Sequence, residues 1–342
     1  MSEVAIIGAG AWGTALSIVL GRKQRHRVRL WAYEKEVRES INASRVNSLY
    51  LPDHQIPDCV FVSGDFSDAL TGAEIVVSVM PSQHCRRVFK EMLPHLQPGA
   101  LLVSATKGLE QDTLLRMSEV IGELAGSRFQ VGALSGPTFA TEVARGDPTA
   151  ITIASKDTRL ASAVQSEFSD PSFRVYTNDD VIGAELGGAL KNVIAIAAGA
   201  CDGLGLGHNS VAALITRGLA EMTRLATACG GRAETMAGLA GLGDLVLTCT
   251  GALSRNRSVG FELGRGRKLP EIIASMHGMV AEGVFTTTAA VHLAKKHGVE
   301  MPITEQIHAI LNQSKAPRHA IHELMTRSSK SELTPNHTAR RS

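Results

Sequence analysis

The segment Val4-Ala5-Ile6-Ile7-Gly8-Ala9-Gly10-Ala11-Trp12-Gly13 decides the fold of the first half of the chain. Four apolar residues typical of a buried strand lead into the pattern Gly-x-Gly-x-x-Gly, and a helical pattern comes next over Thr14–Lys23. In this context the pattern predicts a dinucleotide site. Gly8 would make the tight turn, Gly10 would let the backbone approach a pyrophosphate, and Gly13 would let helix and strand pack closely. Free N–H groups at the start of the helix would then bind the anion.

Further strand patterns lie beyond this segment. They are Arg27–Trp31, Val60–Val62, Ile75–Val79, Leu101–Ser104, Val131–Leu134, Ala150–Ala154 and Phe173–Thr177. Helical patterns such as Leu114–Leu124 lie between several of them. This alternation predicts a mostly parallel, doubly wound sheet with helices on both faces.

The character of the sequence changes after the last strand pattern. Asn178 and Asp179 can cap a helix, and the residues after them are rich in alanine, leucine and glycine with little strand signal. We therefore predict a first domain over residues 1–180 and an all-α second domain over residues 181–326. The polar segment 327–342 is predicted to be a disordered tail. Two domains imply a cleft between them.

Composition excludes several classes of function. The chain has 342 residues, of which 44% are hydrophobic and 20% charged, and its net charge of +2 is too small to favour nucleic acid. The five cysteines never form a CxxC pair, so neither a disulfide framework nor a metal site is expected. No signal peptide is evident at the start, and the apolar stretch Val193–Ala200 is too short to span a bilayer. These features predict a cytoplasmic protein without membrane attachment.

The residue that reads the nucleotide ribose should lie about 20 positions after the last glycine, near the end of the second strand. Glu34 comes one residue late for this role, whereas Arg29 and Lys35 are close enough to tolerate a 2′-phosphate. The same residues could also form an ordinary solvated turn. NADH and NADPH therefore both remain open as cofactors.

Lys191 is the first candidate for chemistry. Its neighbours on the same helical face include Gly188, Ala195 and Ala198, and none of these neighbours is an acid. Such a lysine either extends its amine to water or is desolvated in a cleft, and the small residues would let another element approach closely. Hydride transfer to or from an alcohol needs a group that carries the hydroxyl proton, and a buried lysine suits that task.

Three further features are candidate parts of the site. Asp244 lies in a glycine-rich turn, where it could orient a lysine or merely cap a helix. Ser254-Arg255-Asn256 could open a helix with Ser254 as its cap, so that free N–H groups and a guanidinium would clamp a phosphate. Lys107 follows the carboxyl end of a strand, where open α/β sheets bind ligands, although most loop lysines are only solvated.

Taken together, these motifs resemble those of bacterial NAD(P)-dependent glycerol-3-phosphate dehydrogenases, and the resemblance runs from about Val4 to about Ile310. The segments that carry it are Gly-Ala-Gly-Ala-Trp-Gly-Thr at 8–14, Ala-Thr-Lys-Gly-Leu-Glu at 105–110, Ser-Gly-Pro-Thr-Phe-Ala at 135–140, Leu-Lys-Asn-Val-Ile-Ala at 190–195, Gly-Leu-Gly-Asp-Leu at 241–245 and Ser-Arg-Asn at 254–256. The resemblance implies a Rossmann-type domain followed by a helical domain, an architecture like that of 6-phosphogluconate dehydrogenase.

The resemblance also implies roles for individual residues. Lys191 would be the proton acceptor. Substrate, dihydroxyacetone phosphate or sn-glycerol 3-phosphate, would be bound by Lys107, Gly136, Thr138, Lys191, Asp244, Ser254, Arg255 and Asn256. Cofactor, NADPH or NADH, would contact Gly8, Gly10, Ala11, Trp12, Gly13, Tyr33, Lys107, Ala140, Arg255, Val280 and Glu282. The product would supply phospholipid synthesis. Independently of the resemblance, the small-residue helices make a homodimer a reasonable assembly.

Two alternatives compete with this interpretation. A hydroxyacid dehydrogenase of the same two-domain build would not require Ser254-Arg255-Asn256 beside Lys191. A non-catalytic dinucleotide sensor would need the glycine loop but neither Lys191 nor Asp244.

Overall fold

The structure is a computed structural model that describes residues 2–276, 279–329 and 331–332. Its strands are β1 (Ser2–Ile7), β2 (His26–Trp31), β3 (Val46–Asn47), β4 (Leu51–Gln55), β5 (Val60–Ser63), β6 (Ile75–Ser78), β7 (Leu101–Ser104), β8 (Val131–Ser135), β9 (Thr149–Ala154) and β10 (Phe173–Asn178). An eight-stranded sheet has the order β10-β9-β8-β7-β6-β1-β2-β5. All its neighbours pair in parallel except β8 and β9, which are antiparallel, so the predicted mostly parallel sheet is confirmed.

Helices cover both faces of this sheet. The first half contains α1 (Ala11–Arg22), α2 (Lys35–Ser44), α3 (Phe66–Leu70), α4 (Cys85–Met92), α5 (Met117–Ala125), α6 (Ala140–Arg145) and α7 (Thr158–Phe168). Val4 and Ile6 of β1 belong to the apolar core under α1, α6 and α7, whereas Ala5 and Ile7 belong to the core under α3, α4 and α5. This alternation along one fully buried strand is what a doubly wound sheet requires.

The second half is helical, as predicted. It contains α8 (Val181–Gly203), α9 (His208–Ala228), α10 (Ala233–Met236), α11 (Asp244–Thr250), α12 (Arg255–Gly264), α13 (Leu269–Ala274), α14 (Glu282–His297), α15 (Pro302–Gln313) and α16 (Pro317–Met325). A short π-helical segment, Leu239–Gly243, leads into α11. The Rossmann-type sheet followed by helices is therefore confirmed.

Helix α8 is the core of the second half. A Cβ added to Gly199 would lie 1.9 Å from the carbonyl oxygen of Arg257, and one added to Gly260 would lie 1.9 Å from that of Ile196. The glycines thus let α8 and α12 pack backbone against backbone. By length and composition the 23 residues of α8, which include Val193–Ala200, could cross a bilayer, but 89% of their most apolar window is buried inside the protein.

Several local predictions are wrong. Asp180, not Asn178 or Asp179, caps α8 by accepting a 2.8 Å hydrogen bond from the Gly183 N–H. Helix α5 begins at Met117 rather than at Leu114, because Leu114 has a positive φ of 63°. The hairpin of β3 and β4 was not predicted. Lys330 and residues 333–342 of the predicted tail lie outside the described residues.

Candidate active site

The nucleotide loop between β1 and α1 has the geometry that the three glycines predict. Gly8 has a φ of 120°, and a Cβ there would lie 2.2 Å from the carbonyl oxygen of Val79. A Cβ on Gly13 would lie 1.9 Å from the carbonyl oxygen of Gly8, so helix and strand pack closely. A Cβ on Gly10 would have no protein atom within 4 Å. Open space therefore lies before the N-terminus of α1, where a pyrophosphate could bind.

A cleft of about 460 Å³ runs from this loop to the helical half. Predicted site residues that line it are Gly10, Ala11, Trp12, Gly13, Lys107, Thr138, Ala140, Lys191, Ser254, Arg255, Asn256, Val280 and Glu282. Gly8, Tyr33, Gly136 and Asp244 are not part of its lining, although Gly136 and Asp244 contact a lysine that is. The structure thus brings residues from both halves of the chain to one cavity.

Lys191 is buried rather than extended to water, with only 6% of its surface exposed. Its Nζ lies 2.9 Å from Oδ1 of Asp244 and donates a 2.7 Å hydrogen bond to Oγ1 of Thr248. Thr248 in turn donates to the Asp244 carbonyl oxygen at 2.6 Å, because the two residues are four apart on α11. The amine is therefore desolvated and held at a fixed position.

Lys107 reaches the same carboxylate from the first half of the chain. Its Nζ donates to Oδ2 of Asp244 at 2.7 Å and to the Gly136 carbonyl oxygen at 2.9 Å, and it lies 3.4 Å from Oγ1 of Thr138. Burial, reinforced by the positive charge of Lys191, lowers the pKa of Lys107 to about 8 even though Asp244 opposes that shift. Asp244 is thus a bridge between two lysines, and the interpretation as a simple N-cap is wrong.

Gly188 explains how the two lysines come so close. It precedes Lys191 by three residues on α8, and a Cβ there would lie 2.6 Å from Oγ of Ser135 and 3.6 Å from Cγ of Lys107. The predicted close approach along the small-residue face of α8 is therefore confirmed. Its partners are the end of β8 and the loop after β7.

The residues of the predicted anion clamp lie at the N-terminus of α12. Ser254 caps the helix, and its Oγ accepts a hydrogen bond from the Arg257 N–H at 3.2 Å. Arg255 donates to the Val280 carbonyl oxygen at 3.2 Å, and burial lowers the pKa of its guanidinium. Asn256 donates to Oδ1 of Asn192, the residue after Lys191, at 2.9 Å. Cap, guanidinium and amide therefore meet beside the buried lysine.

Glu282 closes the other side of the cleft. Its carboxylate accepts hydrogen bonds from the N–H of Ser82 at 3.0 Å and from the Ser82 hydroxyl at 2.7 Å. Burial raises the pKa of this carboxyl group, with the hydrogen bonds from Ser82 and the charge of Arg255 acting in the opposite direction. A residue of the helical half is thus held by the loop that leaves β6.

The charged residues on β2 and just after it are paired with other protein side chains. The guanidinium of Arg29, on β2, lies 3.5 Å from the carboxylate of Glu3, and the amine of Lys35 lies 3.4 Å from that of Glu39. The carboxylate of Glu34 accepts a 3.1 Å hydrogen bond from Tyr50, which lines the cleft. Tyr33 is 65% exposed, and the guanidinium of Arg87 lies 5.7 Å from the centre of its ring.

Sequence reasoning missed four residues of the site: Thr248, Asn192, Ser82 and Tyr50. Thr248 could have been found from its four-residue spacing to Asp244 within a helix. Ser82 and Tyr50 carry no local signal, since their partners Glu282 and Glu34 are distant in sequence.

A second, wider groove of about 770 Å³ is lined by residues such as Tyr176, Asn178 and Arg232 and contains none of the predicted site residues. Across the described residues, no group of three or more histidine, cysteine or acidic side chains is placed to hold a metal ion. Most of the predicted site residues line the smaller cleft instead, together with the two lysines.

Comparison with known proteins agrees with this geometry. One family model, NAD-dependent glycerol-3-phosphate dehydrogenase N-terminus, matches residues 3–161, and its C-terminal counterpart matches residues 180–322. A relative from Koribacter versatilis named glycerol-3-phosphate dehydrogenase (NAD(P)+) is 69% identical over 335 residues, 97% of this chain and 99% of the relative.

Solved structures give the same result. The crystal structure of glycerol-3-phosphate dehydrogenase from Coxiella burnetii has a TM-score of 0.91 at 43% identity and covers 95% of this chain and 99% of its own. A ketopantoate reductase from Ralstonia eutropha, at 20% identity and a TM-score of 0.62, shares the fold alone; it covers 94% of this chain and 100% of its own. This chain belongs to the NAD-dependent glycerol-3-phosphate dehydrogenase family.

Proposed function

We propose that this chain is an NAD(P)-dependent oxidoreductase that interconverts dihydroxyacetone phosphate and sn-glycerol 3-phosphate. The observation that carries the proposal is the buried group of Lys107, Asp244 and Lys191, which borders the same cleft as the nucleotide loop and Arg255. Family membership supports both the cofactor and the substrate.

The first half fits the cofactor. The open space at Gly10 and the N-terminus of α1 suit a pyrophosphate, and Ala11, Trp12, Ala140, Val280 and Glu282 would form the walls. NAD(P)H supplies a hydride when it is bound. We propose that the chain accepts both NADH and NADPH, which is supported by the name of its 69% identical relative, glycerol-3-phosphate dehydrogenase (NAD(P)+).

Lys191 transfers the proton in the proposed reaction. In the reduction, Lys191 as an ammonium donates its proton to the oxygen of the substrate carbonyl, and in the oxidation its neutral amine takes that proton back. The contact with the Asp244 carboxylate and the hydrogen bond to the Thr248 hydroxyl hold the amine in position. General acid catalysis of this kind typically contributes roughly 100- to 10,000-fold to the rate.

The substrate phosphate belongs at the N-terminus of α12. Ser254, Arg255 and Asn256 present a hydroxyl, a guanidinium and an amide there, and the helix adds free N–H groups. Binding energy from the phosphate end would then hold the reacting carbon near Lys191. Lys107, with Gly136 and Thr138 beside it, would contact the substrate from the opposite wall.

The domain boundary, the cellular setting and the assembly of the enzyme are also proposals. We place the boundary between nucleotide and substrate domains near residue 180, where β10 ends at Asn178 and α8 begins at Val181. The protein would work in the cytoplasm without membrane attachment, supply phospholipid synthesis and form a homodimer. Sedimentation would test the dimer.

One set of assays tests the activity. NADH and NADPH oxidation should be followed with dihydroxyacetone phosphate and with a panel of unphosphorylated ketones and keto acids. We expect turnover with the phosphorylated ketone alone. Equal turnover of a keto acid would favour the hydroxyacid dehydrogenase instead.

Lys191→Ala tests the proton donor. Because the amine is the buried acid of the site, turnover should fall by several orders of magnitude, on the order of the 100- to 10,000-fold assigned to general acids. Cofactor binding, measured by NADPH fluorescence, should persist. The exposed Lys156→Ala is the matched control, and near-normal turnover by Lys191→Ala would remove Lys191 from the mechanism.

A further inference from the structure

Glu185 is a buried carboxylate that the proposed reaction does not use. It lies on α8, six residues before Lys191, and 7% of its surface is exposed. Its Oε1 accepts a 2.8 Å hydrogen bond from the Ser118 N–H, and its Oε2 accepts 2.6 Å bonds from the Ser118 hydroxyl and from Nη1 of Arg116. Burying a carboxylate is costly unless it is paired in this way.

The partners of Glu185 stand at the far end of the loop that carries Lys107. This loop leaves β7 at Ala105 and ends where Arg116 caps α5. Within the loop, Leu109 forms a β-bridge with Arg116, and the Glu110 N–H donates to the Leu115 carbonyl oxygen at 2.9 Å. The loop is therefore internally tied, so a contact at its end bears on the position of Lys107.

Helix α8 thus contacts both ends of one loop. Near Lys191, Lys107 contacts the carboxylate of Asp244, which also contacts Lys191. Lys107 also packs against α8 at Gly188, which has no side chain. At the start of α8, Glu185 holds the N-terminus of α5. A rigid helix that spans both contacts fixes the loop relative to itself.

We propose that Glu185 is a positioning residue, which sets the distance between Lys107 and Lys191 by fixing the Lys107 loop to α8. The inference rests on the proposed function, in which both lysines face the substrate. A small displacement of one amine would lower the rate without changing how the cofactor binds, because the nucleotide loop lies on a different element.

Glu185→Leu tests this role, with Glu185→Gln as the conservative variant. The amide oxygen of glutamine can still accept from the Ser118 N–H, whereas leucine accepts nothing. We expect Glu185→Leu to lower kcat by roughly 10- to 100-fold, as a misplacement near 1 Å does. KM for the cofactor should stay within about twofold of wild type because the nucleotide contacts are unchanged. Glu185→Gln should restore most of kcat.

Ser118→Ala removes one of the three hydrogen bonds and covers the case in which Glu185→Leu fails to fold; it should lower kcat by a smaller factor. Glu271→Gln is the matched control, because this exposed carboxylate lies on α13, which is part of neither the Lys107 loop nor α5. If folded Glu185→Leu or Ser118→Ala lost thermal stability yet kept wild-type kcat, Glu185 would be structural only. Failure of the proposed function would give a different result: wild type would not turn over dihydroxyacetone phosphate, or Lys191→Ala would keep near-normal turnover.

Discussion

At the level of single residues, Asp244 organises the electrostatics of the site. Its side chain is 1% exposed and contacts the amines of Lys107 and Lys191 through different oxygens. One carboxylate thus stands against two ammonium groups. Burial of an ion pair is costly unless the geometry of the pair is good. The positive charge of two amines exceeds the negative charge of one carboxylate, which suits an anionic substrate or a developing alkoxide.

The lowered pKa of Lys107 predicts an alkaline loss of activity. With a pKa of about 8, Lys107 loses its charge well below the usual value of 10.5. The rate of ketone reduction at subsaturating substrate should therefore fall above about pH 8. The same shift makes folding stability rise with pH between about 8 and 10.5, because the unfolded chain binds more protons there.

Lys107→Arg checks this assignment, since a guanidinium stays charged throughout the range. The variant should retain a fraction of the wild-type rate and lose the limb near pH 8 in a profile of kcat/KM. A profile identical to wild type would assign the limb to another group.

The residues of the candidate site differ in how far the sequence predicts them. Lys191 and Asp244 stand out because their apolar and glycine-rich neighbours are unusual for charged side chains. The contacts of Asp244 with the two lysines do not follow from the sequence, since Asp244 lies on α11, Lys191 on α8 and Lys107 on a loop 137 positions before Asp244. Only the packing of α8 against both elements brings the three together.

At the level of elements, two glycine substitutions in the nucleotide loop should separate an effect on cofactor binding from an effect on stability. Gly10→Ala places its methyl group in open space, so the free energy of unfolding should change by less than about 1 kcal/mol while cofactor affinity falls. Gly13→Ala forces a methyl group against the Gly8 carbonyl oxygen and should destabilise the fold by about 1–3 kcal/mol.

Urea denaturation and cofactor titration of both variants provide the measurement. Gly122→Ala, also open in space but on α5, is the control for any helix glycine. A Gly10→Ala variant with unchanged NADH affinity would place the pyrophosphate elsewhere.

The elements themselves were predictable to different degrees. Buried strands such as β6 and β7 are short runs of apolar and β-branched residues, so their sequence identifies them. The hairpin strand β4, with Pro52 and Asp53 in its centre, has a composition typical of a loop. The antiparallel pairing of β9 depends on chain reversal, which periodicity does not encode.

The contact that Glu221 makes between α9 and α15 is expected to depend on pH. Its buried carboxylate accepts hydrogen bonds from the Ile303 N–H at 2.6 Å and from the Thr304 N–H at 3.2 Å, at the N-terminus of α15. Burial nevertheless raises its pKa to about 7. The folded protein therefore binds more protons than the unfolded chain between about pH 4.5 and 7, and this group's contribution to stability falls as pH rises, by at most about 1.4 kcal/mol per unit.

Glu221→Gln removes the titration. From pH 4.5 to 7, the free energy of unfolding of wild type should fall relative to that of this variant, as measured by urea denaturation. Glu305→Gln, on the exposed first turn of α15, should show no such trend. A constant difference across the range would mean that Glu221 does not titrate there.

At the level of the whole molecule, two carboxylates of the helical half are held by separate segments of the first half. Glu185 meets Arg116 and Ser118, and Glu282 meets Ser82. The cleft lies between elements that these contacts join, so its shape depends on both. A long core helix alone would not set the angle at which the nucleotide loop faces Lys191.

Ser82→Ala tests the contact at the cofactor end. The variant keeps the Ser82 N–H but removes the hydroxyl that donates to Glu282, which should destabilise the fold by about 1 kcal/mol because a buried acceptor loses its partner. Since Glu282 forms part of the proposed cofactor wall, KM for NAD(P)H should rise several-fold while KM for dihydroxyacetone phosphate stays near wild type. Ser162→Ala on the exposed face of α7 is the control. Equal increases in both KM values would mean that the contact shapes the entire cleft rather than its nucleotide end.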